Sequence, residues 1–202
     1  MITTSYKTPL REEPVRSANA GMAIQVIHDA FRHDRIVRWI WPEEHSFEEA
    51  MPRFIAAFGG GAFSCGSADV LGDDRAAALW LPYGTVPDEE SVMEILTTSV
   101  SPNRHSEIFG MFEQMERLHP TEPHWYLPLI GVREEFQGRG YGSVLMRHAL
   151  DRCDRDGLPA YLEATSSRNV PFYENFGFRT IGIIQSGTSP ELYAMLRPAQ
   201  AC

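Results

Sequence analysis

Three glycines alternate with larger residues in the hexapeptide from Gln137 to Gly142, which reads QGRGYG. It lies between an apolar run, Tyr126 to Val132, and an amphipathic run, Ser143 to Cys153. A turn with few side chains between a strand and a helix can direct several backbone N–H groups at one anion, helped by the helix N-terminus. This geometry suits a pyrophosphate. The hexapeptide, named here the glycine turn, therefore predicts a cofactor that carries a nucleotide.

Two familiar nucleotide motifs do not fit the glycine turn. A Walker A loop ends in Gly-Lys-Ser or Gly-Lys-Thr, whereas this chain continues as Gly-Tyr-Gly-Ser. A dinucleotide fingerprint needs the spacing G-x-G-x-x-G, and the spacing here is G-x-G-x-G. On these six residues alone, a turn without any ligand, used only for the tight passage from strand to helix, remains the alternative.

The elements next to the glycine turn are a strand before it and a helix after it. Trp125 to Val132 is continuously apolar, which is typical of a buried strand. Pro128 lies inside this run and cannot donate to a neighbouring strand, so we expect a bulge or a local splaying there. The amphipathic run, Ser143 to Cys153, predicts a helix with one apolar face.

A second strand is predicted from Ala160 to Thr165. Its period of two places Tyr161, Glu163 and Thr165 on one face of the sheet. Strand, glycine turn, helix and strand together form one crossover unit of a mixed α/β chain.

The remaining segments predict further helices and strands. We expect helices over 20–31, 47–58, 87–100, 106–118 and 169–176, strands over 68–71, 76–81, 178–184 and 191–196, and a loose arm over 1–11. Ser46 resembles the first residue of a capping box, and Gly72 to Asp74 resembles a hairpin turn.

Length and composition restrict the function. The 202 residues are 43% hydrophobic, which supports one domain or at most two small ones. A formal net charge of -9 argues against nucleic acid as the main partner and is compatible with a cationic substrate. The three cysteines show no metal-ligand spacing and indicate a reducing compartment. Met1 to Glu13 has no signal-peptide character and apolar runs are of strand length, so we expect a soluble, cytoplasmic protein.

Several motifs together carry a family resemblance. The glycine turn fits the pattern Arg/Gln-x-x-Gly-x-Gly/Ala, it follows Ile130-Gly131-Val132, and the segment from Asn169 to Phe178 comes about 30 residues later. In this combination the chain resembles the GNAT superfamily of N-acetyltransferases. The stretch from Glu122 to Gly182 particularly resembles puromycin N-acetyltransferase and its relatives, whereas 33–118 is similar only in layout.

The resemblance implies a fold and a reaction. The fold would be an α/β (α+β) domain over residues 1–202, with a mostly antiparallel sheet of six to seven strands, a splayed central strand and flanking helices. The reaction would be direct attack of a small-molecule primary amine on acetyl-CoA, without a metal, a nucleic acid or a membrane as partner. A homodimer is a candidate assembly. A protein or peptide acetyltransferase and a CoA-binding regulatory module without turnover remain alternatives.

The resemblance also assigns the cofactor-binding residues. The pyrophosphate would contact the backbone N–H groups of the glycine turn, and the pantetheine arm would lie along the strand before it. The predicted residues are Ile130, Gly131, Val132, Gln137, Gly138, Arg139, Gly140, Tyr141, Gly142 and Asn169. We expect the Arg139 and Tyr141 side chains to point outward. Asn169 has an alternative role as a helix N-cap.

Two residues are predicted to move protons. Tyr173 corresponds to the family's general acid, and a phenol with a pKa of ~10 can protonate a thiolate whose thiol has a pKa of ~8.5. Its alternative role is core packing. Glu163 is the best candidate for the base that takes the proton of the ammonium group, ahead of Glu122, a water chain and two loop histidines, His119 and His124, which we expect to be exposed.

The amine would bind in a pocket from the first half of the chain. We expect 35–41 and 88–118 to form its walls. Aromatic side chains there could pack on an amine or, alternatively, belong to the core. They are Trp39, Trp41, Trp80, Phe109 and Phe112.

Overall fold

The structure, a computed structural model, describes residues 15–72 and 74–200. The predicted arm over 1–11 and Asp73 of the predicted hairpin turn lie outside these residues. The described strands are β1 (Arg16–Ser17), β2 (Ala68–Leu71), β3 (Ala76–Leu81), β4 (Trp125–Val132), β5 (Ala160–Ala164), β6 (Arg179–Ile184) and β7 (Leu192–Arg197). The α-helices are α1 (Ala20–Phe31), α2 (Arg35–Ile40), α3 (Glu44–Gly59), α4 (Gly61–Ser64), α5 (Glu89–Ser99), α6 (His105–Leu118), α7 (Tyr141–Asp156) and α8 (Val170–Glu174).

The strands form one seven-stranded sheet with the order β1-β2-β3-β4-β5-β7-β6. The β4–β5 pair is parallel and the other described pairs are antiparallel. A parallel pair needs a long crossover, and α7 supplies it. The predicted mixed, mostly antiparallel sheet is therefore confirmed.

The central strands separate from each other at Pro128. β4 pairs with β5 only from Trp125 to Leu127, and the two strands diverge beyond that point. On its other side, β4 has a register shift against β3 between Leu79 and Leu81, opposite the same proline. Proline cannot donate a ladder hydrogen bond, so a bulge at this position avoids an unmade bond. Both the bulge and the splay predicted at Pro128 are confirmed.

The two faces of the sheet bury separate cores. One core contains apolar side chains of α1, α2, α3, α5 and α6, and the other is built around α7. β5 shows the alternation that the sequence predicts, because Tyr161 joins the first core whereas Ala160, Leu162 and Ala164 join the second. Glu163 therefore points to the side of the sheet that carries the first-half helices.

Some predicted boundaries are wrong. α3 begins at Glu44 rather than at residue 47, no side chain caps it, and it runs through Pro52 without a break. Ser46 thus lies inside the helix. Buried apolar residues along both sides of the proline hold the helix together, and this packing overrides the local signals.

The helices α2 and α8 also differ from the predictions, and the residues at their ends show how each is bounded. α2 was not predicted; Asp34 caps it by accepting hydrogen bonds from the N–H groups of Ile36 and Val37 at 2.9 and 3.1 Å. α8 is shorter than predicted. The chain leaves it through Gly177, whose φ of 86° is the left-handed conformation that glycine adopts without strain.

No α-helix in the described part of the chain is long and apolar enough to cross a membrane. Within the same residues, no group of three or more His, Cys, Asp or Glu side chains could hold a metal ion.

Candidate active site

A cleft of about 600 Å³ opens where β4 and β5 separate. The glycine turn and the start of α7 line one part of it, and β5 and α8 line another. The predicted site residues on its walls are Ile130, Gly131, Val132, Gln137, Gly138, Gly140, Tyr141, Gly142, Glu163, Asn169 and Tyr173. The fold thus brings together side chains and backbone groups from positions more than 40 residues apart.

The glycine turn has the geometry of an anion cradle. Gly138 and Gly140 have φ values of 70° and 90°, in the left-handed region that L side chains rarely adopt. Gly140 is the N-cap of α7 and contributes no side-chain hydrogen bond, so the first N–H groups of this 16-residue helix keep their donor capacity. These donors and the positive end of the helix dipole face the cleft, where they would stabilise a phosphate.

The two large side chains inside the glycine turn, those of Arg139 and Tyr141, differ in exposure. Arg139 is exposed, as predicted, and lies over the Phe136 ring at 5.6 Å. The predicted outward position of Tyr141 is wrong. Tyr141 is 6% exposed, and its hydroxyl accepts a hydrogen bond from Arg75 at 2.8 Å. The first position of α7 therefore anchors the helix in the second core.

Gln137 holds the turn against the strand that precedes it. Its side-chain Nε2 donates to the carbonyl oxygen of Val132, the last residue of β4, at 3.0 Å. This bond uses one N–H of the side-chain amide, and the second N–H and the amide oxygen keep their hydrogen-bonding capacity. Gln137 thus contributes to the shape of the cradle.

The β4 edge beyond Leu127 has no β5 partner, so its alternate backbone N–H and C=O groups face the cleft. Ile130, Gly131 and Val132 lie on this edge. A Cβ at Gly131 would lie 2.7 Å from the Cβ of Ala30, so glycine is needed here for the close approach of α1. An extended ligand arm could pair with this free strand edge.

Asn169 and Tyr173 lie one helical turn apart at α8. The Asn169 side chain does not cap the helix, which argues against the alternative N-cap role, and it is exposed on the cleft. Tyr173 is 8% exposed and also lines the cleft. Burial and the nearby charge of Asp34 raise its pKa above the usual value, so the phenol stays protonated and can act as an acid.

Asp34 is a site residue that the sequence reasoning missed. Besides capping α2, it accepts a hydrogen bond from the Thr165 hydroxyl at 2.5 Å, which ties the α1–α2 loop to the end of β5. Burial raises the pKa of Asp34, and its side chain lines the cleft with Tyr173. An aspartate directly before the helical stretch at Arg35 is an N-cap signal that could have located this residue.

Glu163 has the properties of a proton acceptor. Its Oε2 accepts a hydrogen bond from the Tyr126 hydroxyl at 2.8 Å, and its buried Oε1 makes no hydrogen bond of good geometry among the described residues. Burial raises its pKa to about 7, and interactions with the Tyr126 and Tyr161 hydroxyls oppose the shift. A carboxyl group with this pKa exchanges protons readily near neutral pH.

The expected exposure of His119 and His124 is wrong. His124 is 9% exposed and its Nδ1 lies 2.7 Å from the Glu122 carbonyl oxygen, which can only accept. Its Nε2 lies 2.9 Å from Nε2 of His119. When both rings are neutral, His119 donates in this contact and keeps Nδ1 as an acceptor. Burial and the charge of His124 lower the pKa of His119 to about 4, so His119 is neutral at physiological pH.

A second cavity of about 570 Å³, named here the aromatic pocket, lies among α3, α5 and α6. Glu163 lines both this pocket and the cleft. Of the predicted aromatic residues, Phe109 and Phe112 line the aromatic pocket. Trp41 and Trp80 are 1% and 0% exposed and belong to the cores. The remaining one, Trp39, is half-buried and donates to the Thr188 hydroxyl at 3.2 Å.

The fold and the cleft agree with the resemblance to acetyltransferases that the sequence indicates, and comparison with known proteins supports this class. The sequence model of the acetyltransferase (GNAT) family matches residues 26–178. The chain belongs to this family. A curated relative, an uncharacterised N-acetyltransferase of Schizosaccharomyces pombe, is 46% identical over 120 residues, covering 54% of this chain and 49% of the relative. The chain thus spans about half the length of that relative.

Solved structures of acetyltransferases share the fold. One from Corynebacterium glutamicum, described as histone acetyltransferase HPA2 and related acetyltransferase, is 24% identical, covers 94% of this chain and 98% of its own, and has a TM-score of 0.67. The polyamine N-acetyltransferase of Drosophila melanogaster, which catalyses the formation of N-acetylagmatine, is 15% identical, with coverages of 91% and 97% and a TM-score of 0.57.

Proposed function

We propose that this protein transfers the acetyl group of acetyl-CoA to the primary amine of a small molecule by direct attack. The cleft is the observation that carries the proposal. Backbone donors, a free strand edge, a protonated phenol and a carboxyl group with a pKa of about 7 line one cavity. Its volume of about 600 Å³ suits an extended cofactor arm that enters from the glycine turn.

The chain would hold the donor mainly through backbone groups. The N–H groups from Gly138 to Gly142 would bind the pyrophosphate, and the free edge at Ile130 to Val132 would pair with the pantetheine arm. Asn169 would add a side-chain hydrogen bond from the opposite wall. The acetyl thioester supplies the electrophilic carbonyl carbon.

Two side chains would handle the protons. Glu163 would take a proton from the incoming ammonium group, since only the free amine has a lone pair for attack. As the C–N bond forms and the C–S bond breaks, Tyr173 would donate its proton to the departing sulfur. The ammonium nitrogen loses two protons overall. The first goes through Glu163 to solvent, and the second, lost as the amide forms, restores the Tyr173 phenol, whose own proton is then on the CoA thiol.

The aromatic pocket supports a small acceptor over a protein. Glu163 joins the cleft to a half-open cavity of about 570 Å³, a volume within the range of small-molecule binding sites. The similarity in fold to a polyamine N-acetyltransferase is compatible with an amine acceptor. A specific likeness to puromycin N-acetyltransferase relatives, a cytoplasmic location and a homodimer are further parts of the proposal.

A panel of amines assayed by release of the CoA thiol tests the proposed function. Antibiotics, polyamines, amino acids, alkylamines and peptides would each be offered with acetyl-CoA. We expect turnover with at least one small amine. Turnover with peptides alone would indicate a protein acetyltransferase, and cofactor binding with no turnover on any acceptor would indicate a regulatory module.

A further inference from the structure

The aromatic pocket has a predominantly apolar wall. Phe58 and Phe112 meet edge to face with ring centroids 6.4 Å apart, and Phe58 meets the buried Tyr126 in the same way at 6.2 Å. Phe58, Phe109 and Phe112 are only half-buried, so each presents ring surface to the cavity. Covering such surface with an apolar ligand is favourable in proportion to the area removed from water.

The Glu163 carboxyl group lies on the wall that the aromatic pocket shares with the cleft. Its buried Oε1 makes no hydrogen bond of good geometry among the described residues. Glu163 also lines a third, narrow cavity of about 60 Å³. Phe112 lines both this narrow cavity and the aromatic pocket. An ammonium group paired with Glu163 would therefore direct its substituent along the phenylalanine wall.

The outer end of the pocket offers little for a second positive charge. Its acidic side chains are Glu89, Glu113 and Glu116, and all three are exposed. Exposed ion pairs contribute little because solvent and salt screen them. The exposed apolar side chains of Val86 and Met93 lie on the same rim, at 70% and 41% exposure.

We propose that the aromatic pocket is the acceptor subsite and selects primary amines that carry an uncharged alkyl or aryl chain over diamines and polyamines. The inference rests on the proposed function. The buried carboxyl group would bind the one ammonium group that reacts, and the phenylalanine wall would bind the uncharged remainder. A second ammonium group on the chain would lose hydration against that wall and gain only screened contacts at the rim.

A chain-length series tests this selection. From propylamine to hexylamine, we expect kcat/KM to rise about threefold for each added methylene group. Hexylamine and 1,5-diaminopentane have the same number of heavy atoms and differ by a terminal ammonium group. We expect hexylamine to be preferred by at least about tenfold. Equal or better use of the diamine, or no dependence on chain length, would overturn the proposal.

Variants locate the effect in the pocket. F112A should flatten the chain-length dependence, and M93Q, at an exposed rim position that cannot unfold the core, should weaken it. F63A is the matched control, because Phe63 packs on the same core and lines neither cavity.

E116Q tests the rim of the pocket and should leave the ratio of hexylamine to diamine turnover unchanged. A ratio that shifts toward hexylamine in E116Q would mean that the rim binds the second charge.

Failure of this inference and failure of the proposed function give different results. If acetyl-CoA raises the unfolding temperature and another amine is acetylated while the alkylamines are not, the acceptor class is wrong and the enzyme assignment stands. If acetyl-CoA produces no stabilisation and no amine releases the thiol, the proposed function itself falls.

Discussion

The cleft and the aromatic pocket meet at Glu163 but are built from different parts of the chain. The cleft uses backbone N–H groups at the glycine turn and the free edge of β4. The aromatic pocket uses side chains of α3, α5 and α6. Nearly every residue provides the same backbone groups, so the cleft, which is the proposed donor half of the site, requires only glycine and a bulge at particular positions. The aromatic pocket is the proposed acceptor half, and its shape and polarity change with every side-chain replacement.

This difference explains which half of the proposed reaction the sequence reveals. The glycine turn and Pro128 are local signals, each with a conformational consequence that needs no partner. The aromatic pocket depends on contacts between residues such as Phe58, Phe112 and Tyr126, which are far apart in sequence. The predictions below separate the two halves, beginning with the largest expected effect.

The proton donor should give the largest loss. Y173F removes the hydroxyl while keeping the ring that packs between Phe172 and Phe178. We expect kcat to fall about 1,000-fold, within the range for general acid catalysis, and the Kd of acetyl-CoA to change less than about threefold. Stopped-flow turnover and calorimetric titration measure the two. Normal kcat with lost binding would show that Tyr173 only holds the cofactor.

The cradle should give the next largest effect, and a paired substitution isolates it. G140V places a side chain at the N-terminus of α7, and we expect acetyl-CoA affinity to fall about 100-fold from loss of charge-assisted hydrogen bonds. Gly157, at the other end of α7, has a φ of 65°, and a Cβ added there would meet no atom within 4 Å.

The G157V variant therefore carries similar backbone strain without reaching the cleft. We expect its acetyl-CoA affinity to be close to that of the wild type. Equal affinity losses in G140V and G157V would mean that helix strain, and not contact with the pyrophosphate, explains the result.

Glu163 lies between the two halves, and pH should reveal its role. The carboxylate is the active form of a base, so with a pKa of about 7 the activity should rise as pH increases through about 7. The ratio of wild-type to E163Q kcat/KM cancels the titration of the amine itself. We expect this ratio to be about 30 at pH 8 and to approach one at pH 5. A ratio independent of pH would argue for a role in packing alone.

The smallest expected effect is on the stability of E163Q, which should increase, whereas its activity should fall. Burial raises the pKa of Glu163 from 4.5 to about 7, so ionisation above the unfolded-state pKa disfavours the folded protein. E163Q should be nearly neutral below about pH 4.5. By pH 8 the full pKa change would correspond to about 3.4 kcal/mol, and because Glu163 is only partly buried we expect a gain of about 2 kcal/mol relative to wild type. Urea unfolding at both pH values measures the gain, and a loss of stability at pH 8 would contradict it.

Local signals predicted much of the fold. The bounds of α1, β2, β3 and β4 agree with the predictions, because apolar runs or 3.6-residue periodicity mark these segments clearly. α2 was missed because it is only six residues long, and α3 was misplaced because core packing overrode Ser46 and Pro52.

The site was predictable to the extent that its residues follow local motifs. Glu163 and Tyr173 lie on the cleft because strand alternation and helix position determine their direction. The buried state of Tyr141, the His119–His124 contact and the Asp34–Thr165 hydrogen bond depend on tertiary neighbours. No spacing in the sequence encodes those contacts.

Thermal unfolding with saturating acetyl-CoA tests the central claim most directly. A ligand at 100 times its Kd stabilises the folded state by about 2.7 kcal/mol, which for a domain of this size raises Tm by about 5–10 °C. We predict this rise for the wild type and G157V, and little or none for G140V or with ATP in place of acetyl-CoA. An unchanged Tm in the wild type would contradict the account.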